Sequence, residues 1–548
     1  MRGFSLDLCE VNMKRRIRFF KSGAMLTAVA LAMRSVGLLF GAFVSHAVGA
    51  EGVGLYTVVM TVYSFAATLA SSGISLTVTR LVASAIGEKR EEDVAPILRS
   101  AIKYSLIFGV LSGFLLFSLA DIIGTGILSE SRAIISLRIL SFSLTPVALC
   151  SVFTGYFSGV KRVGFNAATQ IFSQFLKISV TVYLVSVASE WGMTASVAAL
   201  SASITVTEIF GFLLLWLEYI YDRHKHGTRA KKNAPSMWKK VSSSALPLAV
   251  SAYVRSVLTT IEHILIPKRL ISRGEENSEA YSNYGTLHGM ALPIILYPIT
   301  PLTSFSGLLV PEFAETLAAG DRARMNRIAT EAINATLTYS VLAATFLYFF
   351  SEELGYIIYD SYGAGYYIAM LAPIVPVMYL DHVTDGILKG VGEQVYSMWV
   401  NITDSFLSVL LVYFLIPTLG ISGYALVIII MEGYNFLLSA IRLRRHVKIR
   451  PDVISSLLLP LLSATLALSI TNGVFIIGSG DVGGAFLAMK IIFAAALFIA
   501  FLLLMRIAFS KLFARPFAKR FFEKSNGDPI AISKLEERAI SGNVGKYK

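Results

Sequence analysis

Long apolar runs separated by short polar connections repeat along nearly the whole chain. A helix needs about 20 mostly apolar residues to cross the hydrocarbon core of a bilayer, and runs of that length recur here. The pattern predicts spans at 22–46, 54–85, 98–119, 132–158, 164–188, 192–220, 242–267, 283–314, 326–350, 360–388, 392–417, 421–441, 452–475 and 482–508. The expected class is an all-α integral membrane protein with fourteen transmembrane helices.

The charges in the connections fix an orientation. Cytoplasmic loops collect Lys and Arg. If the N-terminus is inside, the inner connections carry Lys89 and Arg90, Lys161 and Arg162, and the run Arg223, Lys225, Arg229, Lys231, Lys232, Lys239 and Lys240. Farther on they carry Arg322, Arg324 and Arg327, then Lys389, then Arg442, Arg444, Arg445, Lys448 and Arg450. The opposite connections hold Arg132, Lys268, Arg269 and Arg273 beside acidic Glu352, Glu353 and Asp360. One helix more or fewer would scramble this alternation, so both termini are expected in the cytoplasm of a bacterial cell, with the chain in its inner membrane.

The longest basic connection divides the first twelve spans into two sets of six. It predicts a basic N-terminal segment (1–21), a first lobe (22–220), a linker (221–241), a second lobe (242–441), a final helix pair (442–510) and a polar tail (511–548). A faint internal repeat agrees. Arg34-Ser35-Val36 answers Arg255-Ser256-Val257 at an offset of 221 residues. Gly159, Gln170, Phe175 and Leu176 answer Gly390, Asn401, Phe406 and Leu407 at an offset of 231. Both halves start inside, so the repeat is parallel, about an axis along the membrane normal.

Composition sharpens the class. The chain is 55% hydrophobic and only 15% charged, too little charge to coat a soluble protein of 548 residues. The net charge of +13 follows from the basic inner loops, so no nucleic-acid partner is expected. Two cysteines, Cys9 and Cys150, supply neither a disulfide framework nor a metal cluster. The basic N-terminus leads into a long apolar run without a small-residue cleavage site, and reads as a retained first helix. There is no Walker motif, no paired histidine and no catalytic Cys–His context, so neither an enzyme nor a resident cofactor is expected. The expected state is a monomer in the phospholipid bilayer.

Ionisable groups inside spans are costly and face protein or water. Arg34 lies about twelve residues into the first span, roughly 18 Å from its start at the helical rise. Arg255 holds the matching place in the seventh. Facing each other across the repeat axis, they would make a basic cavity for an anion such as a pyrophosphate; alternatively, carboxylates such as Glu262 neutralise them. Glu262, seven residues after Arg255, reads either as a site for a coupling cation or proton or as a partner of Arg80 or Arg255. Arg80, near the cytoplasmic end of its span, reads either as a substrate contact or as a snorkelling side chain. Asp381, His382 and Asp385 share the tenth span, and Asp404 sits in the eleventh; they read as a monovalent-cation or proton site or as structural partners. Lys177, Glu208, Glu432 and Lys490 read as inter-helix polar contacts, and His288 as a packing residue. Pro293, Pro298 and Pro301 should bend the eighth span, as a gate or as a fixed elbow.

The run Ala47-Val48-Gly49-Ala50-Glu51-Gly52-Val53-Gly54-Leu55-Tyr56 resembles a signature of the multidrug/oligosaccharidyl-lipid/polysaccharide exporters, within them the polysaccharide flippases of sporulation and lipid II transport. Supporting stretches are Ser75 to Ala83, Tyr156 to Gly159, Ile266 to Leu270 and Tyr284 to Pro293, and the likeness covers about residues 22–510. The resemblance implies two six-helix lobes around a central cavity and, at 452–508, a groove for a lipid tail. It implies that cations of the first, second and seventh helices, here Arg34, Arg80 and Arg255, hold the diphosphate of a lipid-linked saccharide. It further implies alternating access, coupled to Na+, H+ or membrane potential. A cation-coupled drug antiporter of the same superfamily and a non-transporting envelope or spore-assembly scaffold are the competing expectations.

Overall fold

The computed structural model describes residues 2–226, 237–475 and 484–509. The middle of the expected linker and the expected tail lie outside the described residues. Among the described residues the chain is helical throughout. The first half is built from α1 (Arg2–Ser71), α2 (Ile74–Gly87), α3 (Val94–Asp121), α4 (Ala133–Ser141), α5 (Leu144–Gly159), α6 (Val163–Ala188) and α7 (Met193–His226). The second half begins with α8 (Trp238–Ser272), α9 (Asn277–Tyr284), a π-helical turn at Gly285–Ala291, α10 (Leu292–Ile295) and α11 (Thr300–Ala318). It continues through α12 (Arg322–Phe349), α13 (Ser351–Tyr359), α14 (Tyr362–Leu371), α15 (Val375–Gly390), α16 (Gln394–Leu419) and α17 (Ile421–His446). The paired helices α18 (Leu459–Phe475) and α19 (Gly484–Phe509) close the described chain.

Among the described residues, ten stretches are long and apolar enough to cross a membrane, or twelve when two bent pairs are taken as single spans. The protein is a multi-pass membrane protein. Its outer surface agrees: Phe114 is 67% exposed and Ile492 70%, as lipid-facing side chains must be when no water-soluble coat covers them.

The breaks have local causes. Gly49 adopts φ 68°, ψ 176°, a left-handed geometry that only glycine takes without strain, and it divides α1 into two helices. Gly73, at φ 76°, separates α1 from α2. The expected single span at 283–314 is an elbow, bent by 62° between Asn277–Ile295 and Thr300–Ala318. Pro293, Pro298 and Pro301 lack the N–H groups a continuous helix would need there. Two carbonyls within the break are taken by tyrosine hydroxyls: Tyr379 donates to Ile295 O at 2.9 Å, and Tyr339 to Pro298 O at 2.6 Å.

The internal repeat reappears as packing. The bounds of α5 and α15 differ by 231 positions at both ends, and so do those of α6 and α16. A Cβ on Gly155 would stand 2.5 Å from Ser75 O, and one on Gly159 2.9 Å from Val82 Cβ. At the same displacement, a Cβ on Gly386 would stand 1.9 Å from Ser306 Oγ, and one on Gly390 2.7 Å from Phe313 Cβ. Each half therefore packs its α5-like helix on its α2-like helix through two glycines. Between the halves, α1 meets α9 and the π-helical turn. A Cβ on Gly54 would stand 1.9 Å from Tyr281 O, and one on Gly285 2.3 Å from Ala50 O. Tyr281 and Gly285 follow Ala50 and Gly54 by 231 positions, so this is one contact made twice with the roles exchanged. Leu55, Val58, Tyr281, Tyr284 and Leu287 are buried around it.

Candidate functional site

A cavity of about 330 Å³ opens inside the second half, between α8, the α10–α11 elbow, α15, α16 and α17. Its ionisable lining comprises Arg255, Asp381, His382, Asp385, Lys389 and Glu432, with Ser397, Asn401, Asn435 and Ser439 between them. The helical spacing explains the convergence. Asp381 and Asp385 stand one turn apart on α15, Asn401 and Asp404 three positions apart on α16, and Glu432 and Asn435 three apart on α17; each pair shares a face. Asp404 lies within electrostatic reach of Arg255 and Asp381, and Glu432 within reach of Asp381 and Asp404. Lys389 Nζ pairs with Asp385 at 2.5 Å. Among the described residues, Asp381 Oδ1, Asp404 Oδ1, Asn435 Oδ1 and Ser397 Oγ are buried without a hydrogen-bond partner. Four carboxylates converge here on two cations, one already engaged. Acceptor oxygens left bare in such a place suit a small cation or a proton.

The sequence-predicted residues separate into distinct surroundings. Arg255 is exposed on the cavity wall. Arg34 is half-buried and lies in reach of Tyr379, at the elbow, and is not among the residues lining this cavity. The serines beside the two arginines do correspond. Ser35 Oγ lies 2.8 Å from the Tyr297 hydroxyl, and Ser256 Oγ donates to Thr68 Oγ1 at 3.4 Å, each reaching into the other half of the chain. Arg80 is exposed on α2. Glu262 pairs with neither Arg80 nor Arg255 among the described residues; Ser408 donates to its Oε1 at 2.5 Å instead. The reason is proximity: Ser408 follows Asp404 by one turn of α16, on the face turned to α8.

The four groups read from sequence as inter-helix contacts can also be placed. Lys490 Nζ binds Glu353 Oε1 at 3.4 Å, joining α19 to α13 as an inter-helix contact. Lys177 Nζ stands 5.3 Å from the Phe40 ring centroid, with Glu208 in electrostatic reach. Glu432, read from sequence as such a contact, instead lines the cavity. The sequence reading missed Asn401, Asn435 and Ser397. The spacings Asn401-x-x-Asp404 and Glu432-x-x-Asn435 were available signals.

At the end of the bundle where Gly49 turns the chain, a charged cluster of the first half meets polar residues of the second. Arg132 binds Glu51 at 2.8 Å and Glu130 at 2.6 Å. Ser278 Oγ donates to Glu51 Oε2 at 2.9 Å, Asn277 Nδ2 to Ser129 O at 3.2 Å, and the Tyr281 hydroxyl to Leu128 O at 3.0 Å. Burial raises the Glu130 pKa, but hydrogen bonds from the Arg132 side chain and backbone outweigh it and hold the carboxyl below its usual range. The Arg132 pKa is raised in turn, chiefly by its hydrogen bonds to Glu130.

Comparison with known proteins places this geometry. The model of the polysaccharide biosynthesis protein family matches residues 19–317, and that of the MatE family residues 287–414. Stage V sporulation protein B of Bacillus subtilis (strain 168) is 24% identical over 417 residues, 75% of this chain and 80% of that protein. The lipid II flippase MurJ of the same organism is 20% identical over 445 residues, with the same shares covered. Among solved structures, an inward closed lipid II flippase MurJ aligns with a TM-score of 0.67 at 14% identity, covering 89% of this chain and 99% of that one. An inward-facing multidrug resistance MATE transporter aligns with a TM-score of 0.59 at 16% identity, covering 77% and 98%. The fold is thus that of MurJ and the MATE transporters. With more than half its length matched by that first family model, the chain belongs to the polysaccharide biosynthesis protein family.

Proposed function

We propose that this chain is a flippase that carries an undecaprenyl-diphosphate-linked saccharide across the cytoplasmic membrane by alternating access, with lipid II the first substrate to test. One observation carries the choice. The likeness to a lipid II flippase spans 89% of this chain, whereas the likeness to a drug transporter stops at 77%, a difference about the size of the last helix pair. That pair, within 442–510, is the proposed groove for the lipid tail. The drug-antiporter alternative calls for acidic residues in the first half; the acidic cavity lies in the second.

The architecture is read as fourteen spans with both termini inside. Ala30–Gly87 is 58 residues long, about 87 Å of helix, far more than one crossing of a ~30 Å core, so Gly49 separates two crossings. The helix α8, Trp238–Ser272, is 35 residues long, about 52 Å of helix, and is read as a further crossing. These additions bring the count from twelve to fourteen. The reciprocal glycine contacts support two six-helix lobes related by a parallel repeat.

Arg34, Arg80 and Arg255 are the proposed diphosphate ligands. Asp381, Asp385 and Asp404 are the proposed coupling site for Na+ or H+. Glu262, held by Ser408 outside that cavity, is given a charge-pairing role. Arg255 faces the carboxylates, so its engagement by a diphosphate would strip them of a counter-charge and favour cation uptake. Membrane potential adds roughly 2.3 kcal/mol per charge moved through 100 mV. The test is translocation of lipid II in proteoliposomes. Arg34→Ala and Arg255→Ala should each insert normally and lower the rate at least about tenfold, a loss of ~1.4 kcal/mol. Wild-type rates in both overturn the assignment. Native mass spectrometry of the purified chain should also reveal a bound lipid diphosphate.

A further inference from the structure

Behind the glycine contact between the halves, α8 and the π-helical turn bring together two imidazoles to which the preceding reading gives no role. The rings of His263 and His288 meet edge to face with centroids 4.5 Å apart. His263 Nδ1 lies 3.0 Å from the Tyr284 hydroxyl, and His288 Nδ1 lies 3.1 Å from the Tyr424 hydroxyl. The Tyr284 ring stacks on His288 at 5.3 Å. Both tyrosines are buried, while both histidines keep partial exposure.

The facing groups can be named helix by helix. From α8 comes Glu262, which among the described residues is the carboxylate in electrostatic reach of both tyrosines. From α9 comes Tyr284, with Tyr281 one turn earlier. From α17 comes Tyr424. From α1 come neutral Thr57, near Gly289, and Thr61, beside Tyr284. From α16 comes Ser408, bound to Glu262, with Asp404 behind it.

An imidazole bonded through one nitrogen to a hydroxyl exchanges a proton with little movement, because the hydroxyl turns from donor to acceptor. Two such rings in contact titrate as a pair, so that a proton on either ring opposes a second. Glu262 is the charge that would balance it. Moreover, His288 sits in a π-helical turn, which carries a spare residue that can be redistributed along the helix. Its neighbour Gly289 abuts the other half of the chain, where an added Cβ would stand 2.3 Å from Val53 Cγ1. A change at His288 is therefore felt at the contact between the halves.

We infer that His263 and His288, balanced by Glu262, form a proton-binding site distinct from the acidic cavity, and that its occupation loosens the contact around Val53 and Gly289. The inference concerns conformation alone, so it stands or falls independently of the substrate.

The test uses the full chain in lipid nanodiscs, with Cys9 and Cys150 replaced by serine and Val53→Cys as the reporter. Maleimide labelling is measured in a series of steps from about pH 8 to about pH 5 and normalised to a second reporter, Glu279→Cys, on the exposed face of α9. Normalised labelling of Val53→Cys should rise about tenfold at the lower pH, the effect of one unit of preferential proton affinity. The rise should vanish in His263→Gln/His288→Gln and persist in Asp381→Asn. If the double variant fails to fold, Tyr424→Phe, which keeps the ring packing, should shift the midpoint of the response. A flat wild-type profile, a response that survives in the double variant, an unmoved midpoint in Tyr424→Phe, or a response lost in Asp381→Asn instead would each overturn the site.

Discussion

The two halves of the chain share their packing and differ in their chemistry. The helices α5 and α15 press equivalent glycines against equivalent partners, to the residue. Yet where α15 presents Asp381, His382 and Asp385, the positions 231 earlier on α5 hold Cys150, Ser151 and Thr154. Where α16 presents Asn401 and Asp404, α6 holds Gln170 and Ser173. Close helix packing constrains size and backbone approach, so it ties both copies of a repeat to small residues. Charge in a cavity is constrained only by use, and here one copy carries it. Arg34 and Arg255 show the same division: the serine beside each reaches a hydroxyl of the other half, while Arg34 lies near Tyr379 and Arg255 near carboxylates.

The shared part is the more fragile, and the largest effect is expected there. Gly54→Leu and Gly285→Leu each drive a side chain into a backbone carbonyl, which overpacking places at ~3 kcal/mol or more. Because the contact is reciprocal, both should lower the thermal transition of the purified protein by similar amounts; tolerance of one alone would break the equivalence. An intermediate effect is expected in the part that differs. Asp381→Asn and Asp404→Asn should reduce cation-dependent transport about tenfold to a hundredfold, whereas Cys150→Ser and Ser173→Ala should change it less than about twofold. Equal losses in both sets would show that the first half also holds a coupling site.

The smallest effect belongs to the charged cluster at the Gly49 end. The Glu130 pKa is depressed in the folded protein, so its contribution to stability is present above its unfolded value of about 4.3 and is lost as pH falls through the folded value. Arg132→Gln should lower the thermal midpoint at neutral pH, and the gap to wild type should narrow below about pH 4. A gap that does not change with pH would mean that Arg132 acts by packing alone.

Much of this was legible in the sequence. Apolar runs located most of the helices, because in lipid the backbone must satisfy itself and only long helices do so, while the short helix Ser351–Tyr359 falls between two expected spans. The prolines of 293–301 announced the elbow. The residues Gly159 and Gly390 revealed the repeat, since both are fixed by steric contact. The site was less legible. Asp381, Asp385 and Asp404 were visible as charges out of place, but the sequence paired Arg255 with Arg34 by symmetry. In the folded chain Arg255 faces carboxylates on helices far along the sequence. The adjacency of His263 and His288 was hidden for a different reason. It depends on the π-helical turn, which shifts the face of His288 relative to a regular helix.

The single-residue turn at Gly49 has a consequence for how this segment tolerates change in length. Helical geometry resumes at Ala50, so the azimuth of Gly54 is set by the residues between them and by no adjustable loop. Inserting or deleting one residue there would swing Gly54 by about 100° around the helix axis and present a bulkier side chain to Tyr281. A shortened side chain at Val53 leaves that register in place, but a frame shift of one position does not, and a peptide tag placed in this short stretch would dismantle the join between the halves.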